Sequence, residues 1–298
     1  MFFRILIKYI LGYINIKIEG YFVEKFINKC INENNDSLVI DYDYKDNILT
    51  FYKRVINNNM LNEKVISFKI SKYTFEKIET NNKTLVNKNI TDIYNIDKNT
   101  KFIALTFDDG PNYNTSKVID TLNKYNVKAT FFVMGKNIKG HELTLKKMLD
   151  SNMEIGNHTF NHLLLTKYKK DTILNEIDNT TNLIYEVTNT YPKLLRPSYG
   201  SVNKKIKGLA NYPIIIWDID TLDWKYKNSK RIANTILTKV KDGDIVLMHD
   251  IYKSTLNALD LVIPKLLNNN YKLVTVSELF YYKNITLENG KVYGYARN

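Results

Sequence analysis

The chain uses histidine sparingly, with four in 298 residues. Three of them, His158, His162 and His249, fall in one stretch with both tryptophans, Trp217 and Trp224, and with Arg196, one of only five arginines. Thr106-Phe107-Asp108-Asp109-Gly110-Pro111 runs just upstream. The H-x-x-x-H spacing of His158-Thr159-Phe160-Asn161-His162 puts both imidazoles on one face if the segment is helical, which suits a divalent cation. Asp109 as third ligand gives a His2Asp site. Three protein ligands leave room for water and substrate, as a catalytic zinc needs. Adjacent carboxylates at a strand end point in different directions, so one of Asp108 and Asp109 can bind metal while the other takes a proton.

Three further segments extend this set. Arg196-Pro197-Ser198-Tyr199-Gly200 is a rigid turn whose arginine can fix a carboxylate by a bidentate contact. Gly200 permits an unusual backbone path, so a nearby N–H can face an oxyanion. Asp220-Thr221-Leu222-Asp223-Trp224 offers Asp223 as partner to a histidine and Trp224 as the wall of a sugar-sized groove, whereas Trp217 reads as packing. Ile245-Val246-Leu247-Met248-His249-Asp250 reads as a buried strand that delivers a histidine at its end. Taken singly, each has a plainer reading. Asp-Gly and Gly-Pro are turn dipeptides, Asp220 and Asp223 can be solvated loop acids, and a strand can end on a core histidine.

The elements that must hold these residues are regular from Lys101 onward. Strand patterns fall at Phe102–Phe107, Ala129–Met134, Glu154–Asn157, Leu194–Arg196, Ile214–Ile219, Asp244–Met248 and Leu273–Val276. Helical spacing fills the intervals, at Ser116–Tyr125, Glu142–Ser151, Lys170–Val187, Lys204–Ala210, Ser229–Val240 and Leu256–Leu267, with a short Ser277–Phe280 turn at the close. Such alternation predicts parallel strands with right-handed crossovers. The reactive residues sit at or just past the C-terminal ends of these strands, the edge where β/α barrels assemble active sites.

Residues 1–79 differ in texture and read as a small α+β module. Strands are expected at Tyr13–Glu19 and around Leu38–Tyr44, Ile48–Tyr52 and Val65–Ile70, with helices at Val23–Ile31 and near Tyr73–Ile78. Residues 80–100 are polar and aperiodic and read as a linker, 101–282 as the catalytic domain and 283–298 as a tail. The first sixteen residues are apolar but carry Arg4 and Lys8, and their longest uncharged run is too short to span a bilayer. They suit a poor export signal, a peripheral amphipathic membrane anchor or a first folded element. The single cysteine, Cys30, rules out an intrachain disulfide and a cysteine zinc site. The formal charge of +12 is scattered lysine with little arginine, which argues against nucleic-acid binding.

In order, T-F-D-D-G-P, H-T-x-x-H, R-P-x-Y-G, D-x-x-D-W and L-x-H resemble the polysaccharide deacetylases with a NodB homology domain, carbohydrate esterase family 4, over roughly residues 99–282. The resemblance implies a distorted (β/α)7 barrel that removes acetyl groups from a cell-wall glycan in the envelope. It assigns Asp108 as general base and Asp109, His158 and His162 as ligands of a divalent metal, zinc first, with cobalt or nickel as alternatives. Arg196 would orient Asp108, the Tyr199 N–H would serve the oxyanion, and Asp223 would tune His249, the general acid. Pro197, Tyr199, Trp224 and Leu247 would line the substrate site. Ser198 departs from the second proline common in the family. The intact Asp-Asp-Gly is more like the N-acetylglucosamine deacetylases than the muramoyl ones, with peptidoglycan or a chito-oligosaccharide as substrate. An O-acetyl esterase acting on xylan and a non-catalytic wall-binding protein are the competing readings. The opening residues GYINIKIEGYFVEKFINKCI also resemble the start of a stage IV sporulation protein family.

Overall fold

A computed structural model of the chain describes residues 38–45, 48–57, 60–70, 75–85 and 99–297. The chain divides into two compact units between Asn95 and Ile96. In the first, β1 (Leu38–Lys45), β2 (Ile48–Asn57), β3 (Met60–Ile70) and β4 (Phe75–Leu85) form an antiparallel sheet in sequential order. The helix expected near Tyr73–Ile78 is therefore strand from Phe75 on, and residues 80–85 of the expected linker belong to the same strand. Pairing along β3, from Phe75 opposite Ile70 to Leu85 opposite Leu61, overrides a short helical apolar spacing. The strand expected at Tyr13–Glu19 and the helix at Val23–Ile31 lie outside the described residues.

The second unit is an α/β fold, as the alternation of patterns predicts. Its strands are β5 (Lys101–Asp108), β6 (Thr130–Val133), β7 (Glu154–Asn157), β8 (Ile214–Ile215), β9 (Ile219–Asp220), β10 (Ile245–His249), β11 (Tyr271–Leu273) and β12 (Val292–Tyr293). Parallel pairing runs β7-β6-β5-β10-β9. Leu195 then bridges Asn157 of β7 to Ile214 of β8, so the parallel pairings run round a ring that the chain between β8 and β9 completes. β11 pairs only with Lys101–Ile103 of β5, and Leu273 O accepts from the Lys128 N–H ahead of β6. The last strand of the set thus wedges in at the N-terminal ends of its neighbours, away from the reactive edge.

Helices α1 (Thr115–Lys124), α2 (Glu142–Asp150), α3 (Lys170–Thr188), α4 (Lys204–Leu209), α5 (Asp223–Tyr226), α6 (Ser229–Lys239), α7 (Lys253–Asn268) and α8 (Val276–Tyr282) complete the unit. Each longer helix buries one stripe: Val118, Ile119 and Leu122 on α1, and Ala258, Leu259, Val262, Ile263 and Leu266 on α7. These meet Ile103, Leu105 and Phe107 of β5 and Val246 and Met248 of β10 in one core. β5 is buried along nearly its whole length, the continuous apolar run of a strand covered on both faces. Fully burying each such large side chain contributes about 1.5–3 kcal/mol.

Three strand expectations need correction. Leu194–Arg196 supplies one bridging residue, Leu195, rather than a strand. The run Ile214–Ile219 breaks into β8 and β9, because the carbonyls of Ile215 and Ile216 accept from the Arg196 guanidinium and the Ile216 N–H donates to Tyr293 O. Leu273–Val276 ends as strand at Leu273, since Thr275 and Glu278 form a reciprocal capping box that starts α8 at Val276. The C-terminal stretch is built into the unit: β12 pairs with β8, and Arg297 forms ion pairs with Asp218 and Asp244. No helix among the described residues is long and apolar enough to cross a membrane.

Candidate active site

Asp108 ends β5 and Asp109 follows in the left-handed region, at φ 72°. That turn sends the two carboxylates different ways. Asp108 is buried against Arg196, whose Nη1 donates to its Oδ1 at 2.7 Å. Asp109 faces the imidazoles, with Oδ1 3.5 Å from His158 Nε2 and 3.4 Å from His162 Nε2.

The His158–His162 segment is not helical. Thr159 and His162 take φ 65° and 63°, and the chain doubles back as a loop after β7. The expected convergence of the imidazoles is present, but the loop produces it, with ring centroids 5.0 Å apart. His158 Nδ1 lies 2.6 Å from the Arg196 backbone oxygen. With the proton on Nδ1 donated there, the Nε2 lone pair points at Asp109, the arrangement in which a histidine ligates metal. One ligand atom each from Asp109, His158 and His162 all lie within 4.8 Å of one another. Asp109 Oδ1 is buried without a hydrogen-bond partner. A buried carboxylate oxygen left bare beside two imidazole nitrogens fits a divalent cation, which would satisfy all three. Burial alone would raise the Asp109 pKa. The close imidazole of His158, with those of His249 and His162, outweighs it and holds the pKa at about 2, so the carboxylate is ionised. Burial lowers the His162 pKa, favouring the neutral form a metal needs.

Arg196 is fully buried and spends its donors on four acceptors: Asp108 Oδ1, Thr106 Oγ1 at 2.8 Å, and the carbonyls of Ile215 and Ile216 at 3.2 Å each. Its guanidinium lies 4.0 Å from the centroid of Phe132. A planar fork with five donors suits this slot, and lysine would not reproduce it.

His249 ends β10 beside β5, opposite Asp108 in register. Its Nδ1 lies 2.8 Å from Asp223 Oδ1, and its Nε2 is 3.9 Å from Asp109 Oδ2. Asp223 is fully buried and also accepts from the His249 N–H, the Trp224 N–H and Thr255 Oγ1. Burial would lower the His249 pKa, but the Asp223 hydrogen bond and charge overcome it and lift the pKa to about 9, with Asp108 and Asp109 adding to the rise.

These groups open into a cleft of about 400 Å³ lined by Asp108, Asp109, His158, His162, Tyr199, Trp217, Asp220, Trp224, Leu247 and His249. Tyr199 and Trp224 stand exposed at its mouth. Tyr199 is in the left-handed region and sets its ring 4.5 Å from that of His162. Gly200 is also left-handed, and a Cβ there would come within 2.7 Å of Trp217. Pro197 is buried behind this turn and does not line the cleft. Trp217, read from the sequence as packing, does line it. So does Asp220, whose side chain caps the Leu222 N–H. The signal for both lay in their position, Trp217 just past β8 and Asp220 at the end of β9.

The fold and site define a class: an α/β domain with an Asp-His-His cluster suited to a cation beside a second carboxylate and an Asp-supported histidine. The polysaccharide deacetylase family matches residues 95–213, and the chain belongs to that family. It is 42% identical over 197 residues to the peptidoglycan-N-acetylglucosamine deacetylase PgdA of Listeria monocytogenes, covering 66% of this chain and 42% of that protein. It is 40% identical over 185 residues to the peptidoglycan-N-acetylmuramic acid deacetylase PdaC of Bacillus subtilis, covering 62% and 40%. The chain thus spans about two fifths of the length of these two relatives. The structure of a family 4 acetyl xylan esterase from Clostridium thermocellum, in complex with a cobalt ion, superposes with a TM-score of 0.64 at 32% identity, over 66% of this chain and 100% of that one.

Proposed function

We propose that this chain hydrolyses the N-acetyl group of N-acetylglucosamine residues in a β-1,4 glycan, peptidoglycan foremost, releasing acetate outside the cytoplasm. The observation that carries this is the meeting of Asp109, His158 and His162 with Asp108 and the His249–Asp223 pair in one cleft. Asp109, His158 and His162 would hold a divalent ion, zinc in the first instance. Once bound, such an ion lowers the pKa of water to about 7 and polarises the acetyl carbonyl.

The remaining work falls to the chain's own residues. Arg196 occupies Asp108 Oδ1, which leaves Oδ2 to take the proton of the attacking water. The Tyr199 N–H donates to the carbonyl oxygen as charge builds there. The amine departs only if protonated, and His249, held charged at neutral pH by Asp223, supplies that proton from Nε2. Trp224 and Tyr199 offer aromatic faces to pyranose rings. The similarity to PgdA supports the N-acetylglucosamine reading, and that to PdaC favours N-acetylmuramic acid as the second.

The test is to incubate the purified chain and zinc with chitopentaose, peptidoglycan and acetylated xylan, and to locate each acetyl-for-hydrogen exchange by mass spectrometry. Loss confined to muramic residues establishes the second reading. Loss confined to xylan esters, or no loss from any substrate, overturns the proposal.

A further inference from the structure

We infer that Glu176 is a positioning residue for the His158–His162 loop, folding it so that both imidazoles reach Asp109. This rests on the metal site proposed above. Glu176 lies on α3 and is 4% exposed. Its carboxylate is spent on the loop: Oε2 accepts from the backbone N–H groups of Phe160 and Asn161 at 3.0 and 2.7 Å, and Oε1 accepts from Asn161 Nδ2 at 2.8 Å.

The loop needs such a brace. Two of its five residues, Thr159 and His162, hold positive φ, which is strained for a non-glycine residue and worst for a β-branched one. Thr159 and Phe160 direct their carbonyls at the N–H groups of Gly135 and Lys136, so the backbone is held on that side by main chain alone. On the other side the N–H groups of Phe160 and Asn161 both point at the buried Glu176 carboxylate. Glu176 is the acceptor for both. Asn161 is fixed at backbone and side chain, and His162 follows it directly, with Nε2 3.4 Å from Asp109 Oδ1. Metal–ligand distances tolerate only about 0.2 Å. A loop that relaxes slightly loses the cation long before the domain loses its fold.

The experiment is a zinc titration against a chelating dye on the full chain, with metal-free melting curves for each variant. Glu176→Ala is expected to weaken zinc binding by about 10–100-fold, the range for groups that orient metal ligands. Glu176→Gln is expected to keep most of the affinity. Its amide oxygen can take both backbone N–H bonds, and the Asn161 amide can turn over to accept from its NH2. Glu176→Asp, too short to reach, should behave as Ala does and replaces it if the Ala variant fails to fold. Unchanged zinc affinity in Glu176→Ala or Glu176→Asp overturns the inference, as does a Gln variant that loses as much as they do. His158→Ala separates the two levels. Zinc lost in His158→Ala but kept in both Glu176→Ala and Glu176→Asp sinks only the role of Glu176, whereas a wild type that binds no zinc sinks the metal site itself.

Discussion

His158 Nδ1 and the backbone oxygen of Arg196 lie 2.6 Å apart, while the guanidinium of the same arginine holds Asp108 at 2.7 Å. One buried residue therefore fixes His158, the proposed metal ligand, through its main chain and Asp108, the proposed base, through its side chain. The two proposed groups thus share one buried support. Removing the ligand and removing the base should then have separable effects.

His158→Ala should abolish both zinc binding and turnover. Asp108→Asn should keep zinc, because Asp108 is outside the ligand set, and should lower kcat by about 10²–10⁴-fold, the usual worth of a general base. Asparagine retains an oxygen for Arg196, so the fold should survive. Near-normal rates for Asp108→Asn on an acetylated chito-oligomer would show that the proton goes elsewhere.

Arg196 makes the sharpest stability prediction. Arg196→Ala takes the guanidinium from the buried Asp108 carboxylate and leaves the carbonyls of Ile215 and Ile216 without its donors. Breaking such a pair costs about 3–5 kcal/mol. Arg196→Lys restores the charge but not the fork, and should recover only part of the loss. Urea denaturation at pH 7 measures both, and an Ala variant as stable as wild type would refute the buried-pair account.

Much of the site was legible in the sequence because it rests on scarcity and placement. The rare His, Trp and Arg residues fall at predicted strand ends, and parallel topology brings strand ends together. The helical reading of His158–His162 failed because spacing reports a face only when backbone conformation is regular, and here positive φ at Thr159 and His162 replaces the helix. The break between β8 and β9 was hidden for a related reason. Ile214–Ile219 is apolar but for Asp218, and what interrupts its pairing is a guanidinium from a distant segment. The start of α8 was missed although its signal was present, since Thr275 and Glu278 carry a capping-box spacing inside the expected strand Leu273–Val276 and turn Ser277–Phe280. Glu176 gave no local sign, as one acid in a polar helix resembles any solvated one.

The His249–Asp223 pair predicts a pH dependence. Its pKa of about 9 lies above the ordinary 6.5, so His249 stays protonated at neutral pH and the alkaline limb of kcat/KM should fall near pH 9. Asp223→Asn removes the charge chiefly responsible, and the limb should move toward lower pH. Stability has the same sign. The raised pKa contributes fully below about 6.5 and is lost as pH rises through 9, so wild type should lose stability over that window and Asp223→Asn should lose less. Rate profiles and melting curves from pH 6 to 10 check both, and a limb unmoved by Asp223→Asn would remove Asp223 from this role.

Asp250 acts in the same direction over a lower pH window. It is 1% exposed, accepts from Thr115 Oγ1 at 2.6 Å, and packs so closely under the loop after Asp109 that a Cβ on Gly110 would meet it at 2.4 Å. Burial pushes its carboxyl from 3.8 up to about 7, with Asp109 and Asp108 adding to the rise against the Thr115 hydrogen bond. The folded state thus keeps a proton that the unfolded chain gives up. Wild type must lose stability as pH rises from 3.8 toward 7, and the loss should level off above that. Asp250→Asn has the same shape, no proton to lose and an oxygen for Thr115. Its stability relative to wild type should therefore rise across that window and stay constant beyond it. Asp250→Ala lacks the acceptor and should be about 1–3 kcal/mol less stable than Asp250→Asn at every pH. Chemical denaturation of the three proteins at pH 5, 6, 7 and 8 decides the matter: an Asn-minus-wild-type difference flat from pH 5 to 7 would mean that the carboxyl ionises in the fold as freely as in the unfolded chain.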